Sequence, residues 1–209
     1  MNKKTARIAN ADSTDKRQEV LEVASTYFLS QGYDGASVNE MARRSGISKE
    51  SIYRYFSSKA VLFEAVIDKE LEQYQEQLNT LNLSAHTVEM REALMTTAET
   101  ILSVLTSDRT LAMRRLIFQH SAHSSEIGKH YFDVGPRQAY EKLSAFFAAY
   151  SDNTDFDAVK LSQYFVAMVL HKTMLERECG LRKALPKAEL RNLVGPVVDD
   201  FVKAFYPSS

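Results

Sequence analysis

The sequence predicts an all-α protein, with a three-helix helix-turn-helix head at its N-terminus on a larger antiparallel helical body. Apolar residues recur at helical spacing along most of the chain, and no convincing alternating strand interrupts them. Only 7 Gly and 4 Pro occur in 209 residues. The long segments are rich in Ala, Leu, Glu, Lys and Gln, which lose little side-chain freedom in a helix.

The first helix is expected from about Thr14 to Ser30, with Val20, Leu21, Ala24, Tyr27 and Phe28 on one face. Gly32 and Gly35 end it in a short turn. Ser37-Val38-Asn39-Glu40 has the form of a capping box, in which serine caps a second helix and Glu40 returns to the serine amide. Val38, Met41 and Ala42 give that helix its buried side. Ser45-Gly46-Ile47 reads as a tight turn with glycine where a left-handed backbone is needed. Ser48 caps a third short helix holding Ile52 and Tyr53. After Phe56, Ser57-Ser58 restart the chain as a fourth helix to about Leu78.

Further helices are expected over Thr87–Leu105, capped by Thr87, and from Asp108 to about His120. A polar break at residues 121–125 leads to a short segment ending near Phe132. Pro136, suited to a first helical position, opens a helix to about Tyr150. After a loop at 151–155, Asp157 to Glu178 is a long helix closed by Gly180. The last helix covers Lys187 to Phe205, with an irregularity expected at Gly195-Pro196 because proline lacks a backbone donor.

Two short helices joined by a glycine-containing turn are the helix-turn-helix pattern, whose second helix can enter a DNA major groove. Charge agrees. Residues 1–60 hold 10 Lys and Arg against 7 Asp and Glu, a balance of +3, while the remainder holds 16 against 20, a balance of −4. A basic head on an acidic body suits a polyanion at one end. Lys3, Lys4 and Arg7 lie in a stretch, residues 1–13, expected to be a flexible basic tail rather than an arm along DNA.

The stretch Tyr33-Asp34-Gly35-Ala36-Ser37-Val38-Asn39-Glu40-Met41-Ala42, followed by Ser45-Gly46-Ile47-Ser48, Ile52-Tyr53-Arg54-Tyr55-Phe56, Ser58-Lys59 and Leu62, resembles the TetR family signature. Arg114 to Ile117, Glu126-Ile127-Gly128, Tyr131-Phe132 and Gly135-Pro136-Arg137 through Leu143 resemble the AefR-like class of TetR-family C-terminal domains. Ser124-Ser125 stand where those relatives often have Phe-Pro. The resemblance implies a homodimeric regulator of double-stranded DNA. Residues 14–60 would be its DNA-binding domain and residues 61–209 its regulatory and dimerisation domain.

By that resemblance Ser37, Tyr53, Tyr55 and Lys59 match phosphate-contacting positions, whereas Lys49, Ser51 and Arg54 match positions that reach base edges, with Asn39 a further candidate. The chemistry agrees. A serine at a helix N-terminus joins its hydroxyl to free amides at one phosphate. Tyrosine hydroxyls and a lysine position the head without reading sequence. Lys49 can contact guanine, and Arg54 can do so bidentately. Tyr53 can also pack the head together while donating. Many relatives have glycine where Glu50 stands; Glu50 either accepts from a cytosine amino group or discourages wrong sequences.

In the body, Met113, Phe118, Phe132, Tyr140, Phe147 and Tyr164 are candidates to line a cavity for a small-molecule effector. The helix from Asp157 to Glu178 is apolar on more than one side and needs a second burial surface. Phe165, Met168 and Val169, with Val197 and Phe201 of the last helix, are the candidate dimer contacts. His120, His123 and His130, near Asp133, match no common metal spacing and read as polar residues around a helix turn; His171 with Cys179 reads likewise, and no cofactor is expected. No glycine-rich phosphate loop, nucleophile turn or zinc-hydrolase motif points to an enzyme. No signal peptide or membrane span can be read, so the expected location is the cytoplasm. The leading expectation is a repressor released from an inverted-repeat operator by an apolar or amphipathic small molecule. The alternative is a DNA-bound protein that recruits a partner without an effector.

Overall fold

In a computed structural model the regular secondary structure of the described residues is helical, with the backbone described for residues 3–80, 89–122, 125–151 and 154–207, and side chains within those ranges from residue 16 onward, residue 78 excepted. Ten helices occur among the described residues: α1 Lys3–Gly35, α2 Val38–Ser45, α3 Lys49–Tyr55, α4 Lys59–Asn79, α5 Met90–Leu105, α6 Asp108–Ser121, α7 Ser125–Val134, α8 Pro136–Ala148, α9 Ala158–Glu178 and α10 Lys187–Phe205. None of them is long and apolar enough to cross a membrane.

Local chemistry explains most boundaries. Asp157 caps α9 twice, accepting from the amides of Val159 at 3.0 Å and Lys160 at 3.1 Å. Ser107 caps α6 by accepting from Thr110 N at 3.2 Å. Pro136 occupies the first turn of α8, where its missing donor costs nothing. Thr87, the expected cap of α5, lies outside the described residues, and α5 begins at Met90 after Glu89.

Three expectations need correction. α1 starts at Lys3 rather than near Thr14. The first glycine or proline after Met1 is Gly32, so nothing before it stops the ladder. Gly32 then bends the chain (φ 74°, ψ 178°) and one further turn carries it to Gly35. Finally, α10 runs unbroken through Pro196. Proline removes the bond to the carbonyl of Asn192, and both residues are exposed, so water can satisfy that oxygen.

The head core joins Val20, Leu21, Ala24 and Phe28 of α1 to Val38, Met41, Ile52, Phe56, Leu62 and Phe63, all buried. Phe28 and Phe63 meet edge to face at 5.2 Å, a preferred aromatic geometry. In the body, α8 packs on α9 and α10 on α5. Phe147, Phe165 and Phe201, all fully buried, form its aromatic centre, with ring centroids 5.1–6.1 Å apart.

Buried charges tie the layers together. Glu70 of α4, 2% exposed, accepts two hydrogen bonds from Arg109 of α6, at 2.7 and 2.6 Å. The adjacent Lys69, also buried, pairs with Glu22 of α1, and that contact holds the Glu22 carboxyl below its ordinary range. Arg177 of α9 donates to the carbonyls of Thr106 (2.9 Å) and Arg182 (2.8 Å) and to the Asp108 carboxylate. It thereby pins the end of α9 to the turn between α5 and α6.

Candidate nucleic-acid interface

The turn between α2 and α3 is set by its own hydrogen bonds. Gly46 has φ 72°, a left-handed conformation that glycine adopts without a Cβ clash, and its amide donates to Ala42 O at 3.1 Å. Ser45 Oγ donates to Met41 O at 2.6 Å and accepts from Ile47 N at 3.2 Å. Ser48 caps α3 by accepting from Ser51 N at 3.1 Å. Ile52 is the buried anchor of α3, Ser51 and Tyr55 are half-buried beside it, and Lys49, Glu50, Tyr53 and Arg54 face outward.

Neither hydrogen bond of the expected capping box forms. Ser37 occupies the N-cap of α2 with extended backbone, yet its side chain makes no capping bond. Glu40 turns away to Arg43 (3.5 Å) and Arg44 (3.6 Å), one helical turn on. That i,i+3 and i,i+4 geometry competes with the return to Ser37. The consequence suits an anion: the Ser37 hydroxyl and the first amides of α2 are left unused by the box.

The exposed face of α3 carries Lys49, Glu50, Tyr53 and Arg54. Lys49 Nζ lies 5.8 Å from the Tyr53 ring, and the Arg54 guanidinium lies 5.1 Å from the Tyr55 ring, with Nη2 3.4 Å from its hydroxyl. Lys59, at the start of α4, sits 4.6 Å over Tyr33. Such cation–π contacts pre-order long side chains near the surface. Asn39 is exposed on α2. Ser51 differs from the other base-edge candidates: it is half-buried, and its hydroxyl accepts from Ser48 Oγ at 3.0 Å. Residues without an expected role join this surface. Arg43 and Arg44 are exposed at the end of α2, and Arg17 of α1 lies 4.9 Å over Phe56. The spacing of the two arginines from Glu40 was a readable signal; the approach of Arg17 to Phe56 was not.

The body holds a cavity of about 110 Å³ lined from every helix from α4 to α9, including Tyr74, Leu105, Arg114, Tyr131, Tyr140 and Leu170. Burial pushes the Tyr74 and Tyr131 hydroxyls up, and Arg114 partly offsets this at Tyr131. Of the expected lining residues Tyr140 is present. Phe132 lines an adjoining open groove with Tyr140. Met113 is buried beside a separate small cleft near Glu70 and Arg109. Phe118 is half-exposed, 5.9 Å from Tyr131 and under Arg114. Phe147 belongs to the aromatic centre, and Tyr164 stacks on Phe205 at 5.7 Å; neither lines the cavity. Among the expected dimer residues, Phe165, Val169 and Phe201 face the protomer's own core, Val197 is half-buried, and Met168 is 41% exposed.

His120 packs between Tyr33 (5.3 Å) and Phe63 (4.8 Å), where the head meets α6. His130 lies 3.3 Å from Asp68, whereas His123 lies outside the described residues. His171 and Cys179 are both exposed. Among the described residues no three His, Cys, Asp or Glu side chains converge as metal ligands would.

The family model for bacterial regulatory proteins of the tetR family matches residues 20–66, across the helix-turn-helix, and that for the AefR-like transcriptional repressor C-terminal domain matches residues 92–207, more than half of the chain. The chain belongs to the TetR family. That family is one of bacterial transcriptional regulators. It is 28% identical to the regulator AcrR of Shigella flexneri over 121 residues, 58% of this chain and 54% of AcrR, so it spans about half the length of that curated relative. A TetR-family regulator from Mesorhizobium loti has the same fold, with a TM-score of 0.75 and 23% identity over 93% of this chain and 98% of that one. The flavonoid-responsive regulator FrrA superposes with a TM-score of 0.72 at 25% identity, over 94% of this chain and all of its own.

Proposed function

We propose that this TetR-family member is a homodimeric, cytoplasmic repressor that holds an inverted-repeat operator and releases it when an apolar or amphipathic small molecule enters the body. The observation that carries the reading is the surface of the head. Lys49 and Arg54 project from a helix-turn-helix unit whose turn is fixed by Gly46, flanked by Ser37, Tyr53, Tyr55 and Lys59. In this reading Lys49 and Arg54 read base edges, with Asn39 and Ser51 beside them, and the flanking four position the head on phosphates. Residues 14–60 act as the DNA-binding domain and 61–209 as the regulatory and dimerisation domain.

Dimerisation is supported by the outward apolar side chains of α9. Tyr164, Met168 and Leu175 are 42%, 41% and 53% exposed and lie four and seven residues apart, on one side of the helix. Val197 of α10 is the neighbouring candidate. The effector part rests on the cavity between α4 and α9 and on a structural neighbour whose name says that it responds to flavonoids.

The test begins with selection of bound genomic fragments and proceeds to sedimentation with the selected operator. Two protomers per inverted repeat are expected, with half-site centres about 34–36 Å apart or a multiple of that. A stable monomer at micromolar concentration with undiminished operator affinity overturns the dimeric reading.

A further inference from the structure

We infer that the effector site takes an amphipathic carboxylate, with its oxyanion on Arg114 and its apolar body passing Tyr140 into the groove outside. This deepens the effector reading above and rests on it. The inner cavity alone, about 110 Å³, is smaller than the roughly 300–1,000 Å³ of ordinary small-molecule sites. An open groove of about 500 Å³ adjoins it, lined mainly by α8 with Phe132 of α7 and Val159 of α9. Tyr140 lines both spaces. A rotation of that one half-buried side chain joins them into a site of ordinary size.

The two ends differ in chemistry. Ile101, Leu105, Pro136, Ala139, Val166 and Leu170 make most of the cavity wall apolar. Its polar groups are chiefly donors: the Arg114 guanidinium and the hydroxyls of Tyr74, Tyr131 and Tyr140. Arg114 Nη2 is engaged by Glu178 at 3.2 Å, and Nη1 lies 3.5 Å from the Tyr131 hydroxyl. Its Nε is buried with no hydrogen-bond partner. The Arg114 guanidinium lines the cavity, and a carboxylate there accepts from it with charge assistance and from a tyrosine hydroxyl at the same time. An ammonium would meet the guanidinium with like charge, and an alcohol would forgo the charge-assisted bond.

The experiment compares decanoate, decanol and decyltrimethylammonium, matched in chain length, by isothermal titration to the full-length protein. Decanoate should bind about 10- to 150-fold more tightly than decanol, the factor common for a hydrogen bond to a charged group. Arg114→Lys keeps the charge but lacks the planar fork of donors. It should lose most of that preference while still taking up decanol. Tyr140→Trp, which obstructs the passage, should weaken all three ligands together. Retained operator binding reports that each variant is folded. Equal affinity for decanoate and decanol, or an unchanged preference in Arg114→Lys, overturns the inference. The effector reading fails separately. If decanoate binds as expected but its affinity is the same with and without saturating operator, the site stands and its control of DNA binding does not.

Discussion

Replacing Arg109 by methionine should destabilise the protein by about 3 kcal/mol, because it strands the buried carboxylate of Glu70. The Glu70 side chain is 2% exposed, and its two oxygens accept from Nε and Nη2 of Arg109 at 2.7 and 2.6 Å. Breaking a fully buried pair commonly costs about 3–5 kcal/mol, most of it from the charge left without a partner. Here the Arg109 side chain is 51% exposed, so solvent already screens its half of the attraction and the lower end of that range applies. The carboxylate receives no such help. The asymmetry yields a second expectation: Glu70→Gln should cost only about 1 kcal/mol, since it leaves a guanidinium that water can reach. Glu70→Leu with Arg109→Met should return to within about 1 kcal/mol of the parent, as apolar replacements of buried pairs often do. Urea melts followed by far-ultraviolet circular dichroism at one fixed protein concentration measure all four proteins. A loss below about 1 kcal/mol for Arg109→Met, or a double variant as unstable as that single one, refutes the reasoning.

Two more outcomes follow from the head and from the cavity wall. Lys59→Ala should weaken binding to all DNA and lower the salt slope by roughly one unit per head, whereas Arg54→Ala should relax preference at particular base pairs by about 1–3 kcal/mol each; competition binding across salt concentrations separates the two. Gly135→Ala should cost about 1–3 kcal/mol, because a Cβ there would lie 2.3 Å from Cε1 of the buried Tyr74, whose ring must shift to admit it. A urea midpoint unchanged from the parent would contradict that packing.

Much of the fold could be read from local signals that act within one turn. Asp157, Pro136 and Gly180 each mark a boundary through backbone chemistry that needs no tertiary partner. The helix-turn-helix was legible for the same reason, since Gly46, Ser48 and Ile52 form a local unit. The errors arise where distant context decides. Phe165, Val169 and Phe201 lie on helices with two apolar sides, and periodicity does not say which side the protomer keeps for itself. The capping box failed at Glu40 because nearby arginines offered it a competing contact. The ion pairs of Lys69, Glu70 and Arg177 join residues that look like ordinary surface charges in sequence. Glu70 and Arg109, for instance, are 39 positions apart. The cavity was hardest to foresee, as its walls come from α4 to α9 and its polar end depends on one arginine on α6.

Those same long-range contacts supply a route by which the cavity can act on the head. α4 carries Lys59 at the proposed DNA-facing surface, Glu70 in the buried pair and Tyr74 in the cavity wall. The 15 residues from Lys59 to Tyr74 span about 22 Å at 1.5 Å per residue. α6 runs beside it with Arg114 at the cavity, Arg109 on Glu70, and His120 against Tyr33 and Phe63 at the head. Two rigid helices thus reach from the cavity to the head and are bolted together between those ends. A ligand that moves Arg114 or Tyr74 must displace α6 and α4 as a pair, or else strain the Glu70–Arg109 contact. Because Tyr33 lies under Lys59 as well as against His120, a shift of either helix bears on the lysine proposed to contact phosphate. The ligand itself need only favour one position of this pair over another. A preference of about 1–3 kcal/mol suffices to change operator affinity 5- to 150-fold.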